Sequence, residues 1–298
     1  MTKAQKHHYI PCFYLKQWVG TDGRLCEFSK PYREVVPRRT SPDGTGYVRG
    51  LYTFHDLPPR MANYLESVFL QRTDNLAHQA HAELLKENVD LDGTKRSAWT
   101  RFLLSLIHRT PERMAGIRHL IRYNLPAVLG DLRVQYRDEF GEDLVGAFDE
   151  FVASINEQHI SDYTLACLQR LIDSKEVGER VNEMLWHVQA IPRMGFPLLT
   201  ADRPIIMTNG LNQSHSHLVI PISPWKLFIA TNDRNTMTRL VRHLSVGRGA
   251  EKVNDMTVRQ ARRYVYSIDD TQLRFVLNRF GEHVPSTPLE TLPAGARV

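Results

Sequence analysis

The chain has 298 residues, of which 42% are hydrophobic and 24% are charged, and its formal net charge is +5. Its three cysteines, Cys12, Cys26 and Cys167, form no C-x-x-C motif, which argues against a disulfide framework and a cysteine-based zinc site. No apolar run approaches the roughly 18 residues of a membrane span, and the first residues lack the apolar stretch of a signal peptide. We therefore expect a soluble cytoplasmic protein with no membrane partner.

The first sixty residues predict extended structure after one short helix. Pro11 suits the first position of a helix, and the segment CFYLKQW would supply about two turns before Gly20. Runs of β-type composition follow, separated by turn clusters: RLCEFSK, REVVPRR and YVRGLYTF.

The spacing of apolar residues becomes helical over residues 61–186. Leu65, Phe69 and Leu76 begin one face of a long helix, and SAWTRFLLSLIHR predicts a second, largely buried helix. Thr110, followed by Pro111 and Glu112, predicts a capped helix start. Further helices are predicted near 126–138, 143–158, 161–173 and 176–187, with Ser161 as an N-cap.

Residues 187–284 predict four or five short strands of one sheet, two helices near 235–246 and 250–264, and two closing strands, YVYSID and RFVLNRF. We predict a single α+β domain over residues 1–284. Its mixed or antiparallel sheet would come from the N- and C-terminal segments, with the helical middle packed on it. Residues 285–298 would form a tail.

The N-terminal HHYIP segment is the first candidate for chemistry. In an extended segment neighbouring side chains point to opposite faces, so His7 and His8 would not bind the same metal. One imidazole would serve as a general base or metal ligand, whereas the alternative is that both bind backbone groups and hold the N-terminus. The His-His-x-x-Pro pattern also resembles the opening of His-Asn-His nucleases, but the next Asn, Asn63, and the next His, His55, do not follow that motif.

Four ordered segments resemble the blocks of an uncharacterised bacterial family, the domain-of-unknown-function family 4238, whose members read HHYxPxFYL, RTP, TSDxP and PLSP. Here the segments are KHHYIPCFYLKQW, HRTPERM, LLTADRPIIM and PISPWKLFI, over about residues 6–230. Ala201 stands where the family usually has Ser. The resemblance implies which residues matter and implies no particular reaction.

Within these blocks two charged residues join the histidines as candidates. Asp202 follows a predicted strand and could bind a metal or orient a histidine, or simply start a turn. Arg109 precedes the capped helix and could hold a phosphate or carboxylate, or form a buried ion pair. Glu66 is a candidate partner of Arg109 or His8.

These residues support competing functions. As an enzyme, the protein would be a metal-dependent hydrolase of a phosphate-containing substrate, a phosphodiesterase or nuclease. His7, His8, Arg109 and Asp202 would be catalytic, and His8 and Asp202 would bind a divalent metal. Alternatively, it would be a non-catalytic nucleic-acid-binding or protein-interaction module in a bacterial regulatory or defence system.

Segregated charge bears on the binding alternatives. Residues 101–137 hold seven arginines against two acids, and residues 239–279 hold nine Lys or Arg against four acids, so either stretch could bind nucleic acid. Residues 138–185 hold twelve acids against three basic residues and could form a protein-binding face. The third possibility is that the acidic helices pack beside the basic ones.

Overall fold

The computed structural model describes residues 5–54, 62–193, 195–208, 210–245 and 249–282. The fold is α+β, as the sequence predicts. The strands are β1 (Lys6–His8), β2 (Leu25–Ser29), β3 (Val36–Thr40), β4 (Tyr47–Arg49), β5 (Leu185–Ala190), β6 (Thr200–Ala201), β7 (Ile206–Met207), β8 (His217–Ser223), β9 (Lys226–Thr231) and β10 (Tyr264–Ser267). The helices are α1 (Cys12–Leu15), α2 (Gln71–Leu84), α3 (Gly93–His108), α4 (Pro111–Phe140), α5 (Val145–Ser154), α6 (Glu157–Ile172), α7 (Lys175–Glu183), α8 (Arg234–Ser245), α9 (Gly249–Gln260) and α10 (Leu273–Leu277). A π-helical turn, Leu65–Leu70, leads directly into α2.

The described strands pair antiparallel throughout. β1 pairs with β4, and a terminal sheet has the order β3-β2-β10-β6. A C-terminal sheet has the order β5-β9-β8-β7. The terminal sheet confirms that the N- and C-terminal segments share a sheet. The prediction that the four or five strands directly after residue 186 form one sheet is corrected, because β6 pairs with β10 and not with β7, β8 or β9.

The C-terminal sheet lies between two helical layers. Successive strand residues point to opposite faces, so Ile220 and Phe228 pack in a core that includes Trp99 of α3. Val219 and Ile229 pack on the opposite face, against apolar residues of α8 and α9. Burial of each such large apolar side chain contributes about 1.5–3 kcal/mol. The helical middle is therefore packed on the sheet, as predicted.

The helix α4 begins at the predicted Thr110 cap, but it does not break near residue 126, where a separate helix was predicted to begin. The Thr110 side chain accepts from the Arg113 backbone N–H at 3.3 Å, and Pro111 takes the first helical position. The helix then continues to Phe140 through Pro126. Proline removes one backbone hydrogen bond, but Pro126 is exposed and long helical segments flank it on both sides.

Two smaller predictions are wrong. The N-cap of α6 is Asn156 and not Ser161, because the Asn156 side chain accepts from the backbone N–H of Gln158 and of His159. The first four residues of the segment RFVLNRF belong to the helix α10, and the segment forms no strand. Leu273, Val276 and Phe280 are spaced by three and four residues, and all three pack in one core cluster.

The single domain over residues 1–284 stays a prediction, and its predicted tail, 285–298, lies outside the described residues. Across the described ranges, no helix is both long and apolar enough to cross a membrane.

Candidate functional site

The strand β1 places its two histidines on opposite sides. His7 is fully buried, and its ring stacks on Tyr52 with centroids 5.5 Å apart. Its Nδ1 accepts the Tyr52 backbone N–H at 2.8 Å. Burial lowers the pKa of His7 to about 4, against a smaller opposing effect of Asn63. These contacts fit a residue that holds the N-terminal strand in place. They do not support the predicted catalytic role of His7.

His8 lies on the other face of β1 and is only half-buried. Its ring contacts Tyr47 of the paired strand, with centroids 5.5 Å apart. Burial is the largest cause that lowers the pKa of His8, and the positive charges of Lys6 and Arg109 lower it further. A neutral imidazole can accept a proton, so His8 has the state that a general base needs. Its Nε2 is buried and finds no hydrogen-bond partner among the described residues.

Arg109 joins three parts of the chain from a fully buried position between α3 and α4. Its Nε donates to the backbone carbonyl of Tyr9 at 3.0 Å. Its Nη1 donates to both carboxylate oxygens of Asp74 on α2, at 3.1 and 3.3 Å. The Tyr52 hydroxyl donates to the Arg109 carbonyl. The buried ion pair that the sequence offered as the alternative for Arg109 is thus present, with Asp74 as the acid.

One atom of the Arg109 guanidinium is not used by these contacts. The Nη2 is buried and has no hydrogen-bond partner within the described ranges. A buried donor attached to a permanent cation that lacks an acceptor is rare and costly. Arg109 therefore combines a structural ion pair with a free donor.

Glu66 completes the cluster from the π-helical turn before α2. Burial raises the pKa of Glu66 to about 7, while the Arg109 charge and the backbone N–H of His8 oppose that effect. Its Oε2 is buried and has no partner in the described part of the chain. The sequence made Glu66 a candidate partner of Arg109 or His8, and the structure brings it to both. π-Helical turns occur often at functional sites.

We call these three residues the His8–Glu66–Arg109 cluster. Each contributes one buried polar atom without a partner among the described residues, and the three atoms differ in chemistry: Nε2 of a neutral imidazole, Oε2 of a carboxyl group and Nη2 of a guanidinium. Arg109 interacts electrostatically with both of the others. Since buried polar groups in folded proteins nearly always have partners, such a cluster is suited to a small polar or anionic ligand.

Asp202 belongs to a different set of contacts. Its two carboxylate oxygens accept the backbone N–H groups of Arg262 and Arg263, at 3.0 and 2.7 Å. Its own N–H donates to the carbonyl of Tyr264 at 3.0 Å. Burial raises the pKa of Asp202 to about 6, and the two N–H donors oppose the rise. No hydrogen bond joins this well-buried carboxylate to His8 or Arg109, so the predicted convergence of all three is not formed by direct contact.

Tyr9 lies between the two sets of contacts. Its carbonyl receives the Arg109 bond, and its phenol lies in the electrostatic environment of Asp202. The hydroxyl is buried and has no partner among the described residues. Sequence reasoning missed Tyr9, Tyr52 and Asp74 as neighbours of the candidate residues. The signal for Tyr9 was its place inside HHYIP, whereas no local pattern marks Asp74.

Much of the first arginine-rich stretch is paired with acids. Arg101, Arg122 and Arg133 pair with Asp173, Glu157 and Asp149 of the segment that follows, and Arg137 pairs with Asp138 of its own helix, α4. This supports the interpretation in which acidic helices pack beside basic ones. In the second stretch Arg259 and Arg279 share Asp255, and Arg263 pairs with Glu112.

The first of the four sequence blocks, which contains HHYIP, contacts each of the other three. The Tyr14 hydroxyl donates to the Pro221 carbonyl at 2.7 Å, and the Trp18 indole donates to the Leu198 carbonyl at 2.8 Å. The Arg109 bond to Tyr9 adds the remaining block. Hydrogen bonds over more than 90 residues of sequence therefore tie the HHYIP-x-FYL segment to each of the other three blocks.

Comparison with known proteins gives one match. No curated protein and no solved structure is significantly similar to this chain. The model of the family described as "Protein of unknown function (DUF4238)" matches residues 6–271, a range that includes all four blocks and the His8–Glu66–Arg109 cluster. The chain therefore belongs to the DUF4238 family.

Proposed function

We propose that the protein is a hydrolase of a phosphate-containing substrate, a phosphodiesterase or nuclease, with the His8–Glu66–Arg109 cluster as its catalytic site. The observation that carries the proposal is the set of three buried polar atoms that lack partners among the described residues. They offer a base, an acid and a fixed cation. General acid–base cleavage of a phosphate ester uses groups of these kinds.

In the proposed reaction, His8 Nε2 accepts a proton from a water molecule as the water oxygen bonds to phosphorus. The bond between phosphorus and the leaving oxygen breaks, and the protonated Glu66 carboxyl supplies a proton to that oxygen. Arg109 Nη2 donates to a non-bridging phosphate oxygen and stabilises its charge. A Glu66 pKa of about 7 and a lowered His8 pKa give both residues the required protonation states near neutral pH. Because the three reactive atoms are buried, the partly exposed side chains of His8 and Glu66 would have to move to admit the substrate.

A metal-dependent form of this proposal, with His8 and Asp202 as ligands of a divalent ion, has less support. Both oxygens of Asp202 already accept backbone N–H groups. In the described ranges, no group of three or more His, Cys, Asp and Glu side chains is placed to hold a metal. We propose a cytoplasmic location, where the free thiols Cys12, Cys26 and Cys167 would stay reduced.

The test is a hydrolysis assay with bis(p-nitrophenyl) phosphate and with labelled DNA and RNA, with and without EDTA. We expect His8→Ala and Glu66→Gln each to lower kcat by about 100-fold or more, since general acid–base groups contribute roughly 10²–10⁴-fold. His215→Ala, at an exposed histidine, is the matched control and should retain full activity. Equal activity in all four proteins would refute the site, and loss of activity in EDTA would favour the metal-dependent form.

The protein-interaction alternative relied on a free acidic face in residues 138–185. Asp149, Glu157 and Asp173 of that segment pair with arginines of the preceding stretch, so this face is partly neutralised within the molecule. This observation weakens the protein-interaction alternative relative to the hydrolase.

A further inference from the structure

Helix α8 has two chemically distinct faces. Its apolar side chains, Met237, Leu240, Val241 and Leu244, pack into the core cluster on the C-terminal sheet. Asp233 precedes the helix, and its carboxylate accepts the Thr236 backbone N–H at 3.0 Å, as an N-cap does. The helix is therefore fixed on the body of the protein by one face, and the other face is directed outward.

The outward face is polar and basic. Asn235, Thr238, Arg239, Arg242 and His243 follow each other at spacings of three, one, three and one residues, which places them on one side of the helix. All five are exposed, and together they line a groove of about 700 Å³. The helix contains no acidic residue. We call this surface, together with Arg234 and Lys252, the basic face of α8.

The arginines of this face differ from those of the first arginine-rich stretch. Arg101, Arg122 and Arg133 each have an acidic partner. Arg234, Arg239 and Arg242 are exposed and form no ion pair with any residue in the described ranges, although Arg239 lies in the electrostatic environment of the capping carboxylate of Asp233. Their charges are thus available to an external anion.

Lys252 of α9 adds a fourth cation. Its Nζ donates to His243 Nε2 at 2.6 Å, which joins the ends of the two helices. The basic face therefore presents Arg234, Arg239, Arg242 and Lys252 as cations, and Asn235 and Thr238 as neutral hydrogen-bonding side chains beside them.

We propose that the basic face of α8 binds the phosphate backbone of a nucleic acid. The twelve-residue helix is about 18 Å long, which spans about five phosphates of one strand at 3.4 Å each. Guanidinium groups bind phosphate oxygens bidentately, and Asn and Thr side chains commonly contact the backbone beside them. An acidic membrane surface fits less well, because the apolar residues of α8 are used by the core and cannot insert into lipid.

This inference is independent of the proposed hydrolase, because it concerns binding on a surface formed by other residues. It is tested by the fluorescence anisotropy of labelled 20-nucleotide DNA duplex, single-stranded DNA and RNA, titrated with the protein at several salt concentrations. With about four phosphate contacts on duplex DNA, the slope of log K against log salt should be about −3.6.

The deciding variant is the double substitution R239Q/R242Q. Removal of two phosphate contacts should reduce the steepness of the salt dependence by about 1.8 and weaken binding about 10-fold or more at low salt. The matched control is R133Q/R137Q, which removes the same charge from arginines that are paired with acids and should bind within about twofold of wild type. His215→Ala, at an exposed histidine outside the basic face, should bind like wild type.

Three results would overturn the proposal. The first is that none of the three nucleic acids binds in a salt-dependent way, and the second is that the two double variants lose equal affinity. The third is that poly-glutamate or phosphatidylserine vesicles bind as tightly as nucleic acid and lose this binding in R239Q/R242Q. The first result would exclude nucleic acid as the ligand. The second would show that the loss of affinity comes from the lower net charge and not from the basic face of α8. The third would identify a different acidic partner. The circular dichroism melting temperature of each variant should match that of wild type, since all four substituted arginines are exposed.

Discussion

The Nε of Arg109 donates to the backbone carbonyl of Tyr9 at 3.0 Å, so a buried cation holds a segment that lies 100 residues earlier in the chain. The same guanidinium pairs with Asp74 and keeps one donor free. The position of the HHYIP segment and the chemistry of the cluster therefore depend on one side chain.

Arg109→Ala should destabilise the protein severely. Removal of one member of a buried ion pair costs about 3–5 kcal/mol, because the partner is left uncompensated, and the Tyr9 carbonyl also loses its donor. Arg101→Ala breaks the exposed pair with Asp173 and should cost less than about 1 kcal/mol. Urea unfolding of the two variants measures the difference. Similar losses in both would contradict a special role for Arg109.

Glu66 should make stability fall as the pH rises. Its pKa is raised to about 7 in the folded protein, above the ordinary 4.5, so the favourable contribution of the protonated form is complete below pH 4.5 and is lost as the pH rises through 7. Relative to Glu66→Gln, the wild-type free energy of unfolding should decrease by up to about 3 kcal/mol over that window. Urea titrations at several pH values measure it. A constant difference between the two proteins would show that Glu66 titrates normally.

His7 should make stability fall as the pH decreases, which is the opposite of the effect of Glu66. Its pKa is lowered to about 4, below the ordinary 6.5, so its contribution is present above pH 6.5 and is lost as the pH falls towards 4. His7→Gln should remove this part of the acid sensitivity and should also cost about 1–3 kcal/mol at neutral pH, because the Tyr52 N–H loses a buried acceptor. Acid unfolding followed by circular dichroism measures both effects. An unchanged acid transition would contradict the assignment.

The substitution Asp202→Asn tests whether the Asp202 carboxylate has a structural role or a catalytic or metal-binding one. An amide has one oxygen, so it cannot accept both backbone N–H groups, and the loss of one buried hydrogen bond should cost about 1–3 kcal/mol. Any hydrolytic activity of the folded protein should remain within about twofold of wild type, since general acid–base roles would cost far more.

Asp233→Asn is the matched control for that change. Asn caps helices as well as Asp does, so we expect less than about 0.5 kcal/mol of destabilisation at the start of α8. If Asp202→Asn were as stable as this control but inactive, Asp202 would belong to the catalytic site after all.

Local sequence patterns determined much of the secondary structure. The Thr110–Pro111 cap is correct because its hydrogen bond closes within four residues. The strand prediction for RFVLNRF is wrong because four apolar or aromatic residues in seven fit a strand as well as a short helix, and only the contacts of Leu273, Val276 and Phe280 decide between them. Pro126 was a misleading boundary because an exposed proline can be accommodated in a long helix.

The sequence by itself determined the α+β class and the four blocks that identify the family, and it made His8 and Arg109 candidate site residues. Only the tertiary structure decided their partners: it placed Glu66 and Asp74 against Arg109, gave Asp202 its own backbone donors, and paired most of the first arginine-rich stretch with acids. The physical reason is range. Capping and periodicity act over a few residues, whereas burial and charge pairing depend on side chains that folding brings together from distant parts of the chain.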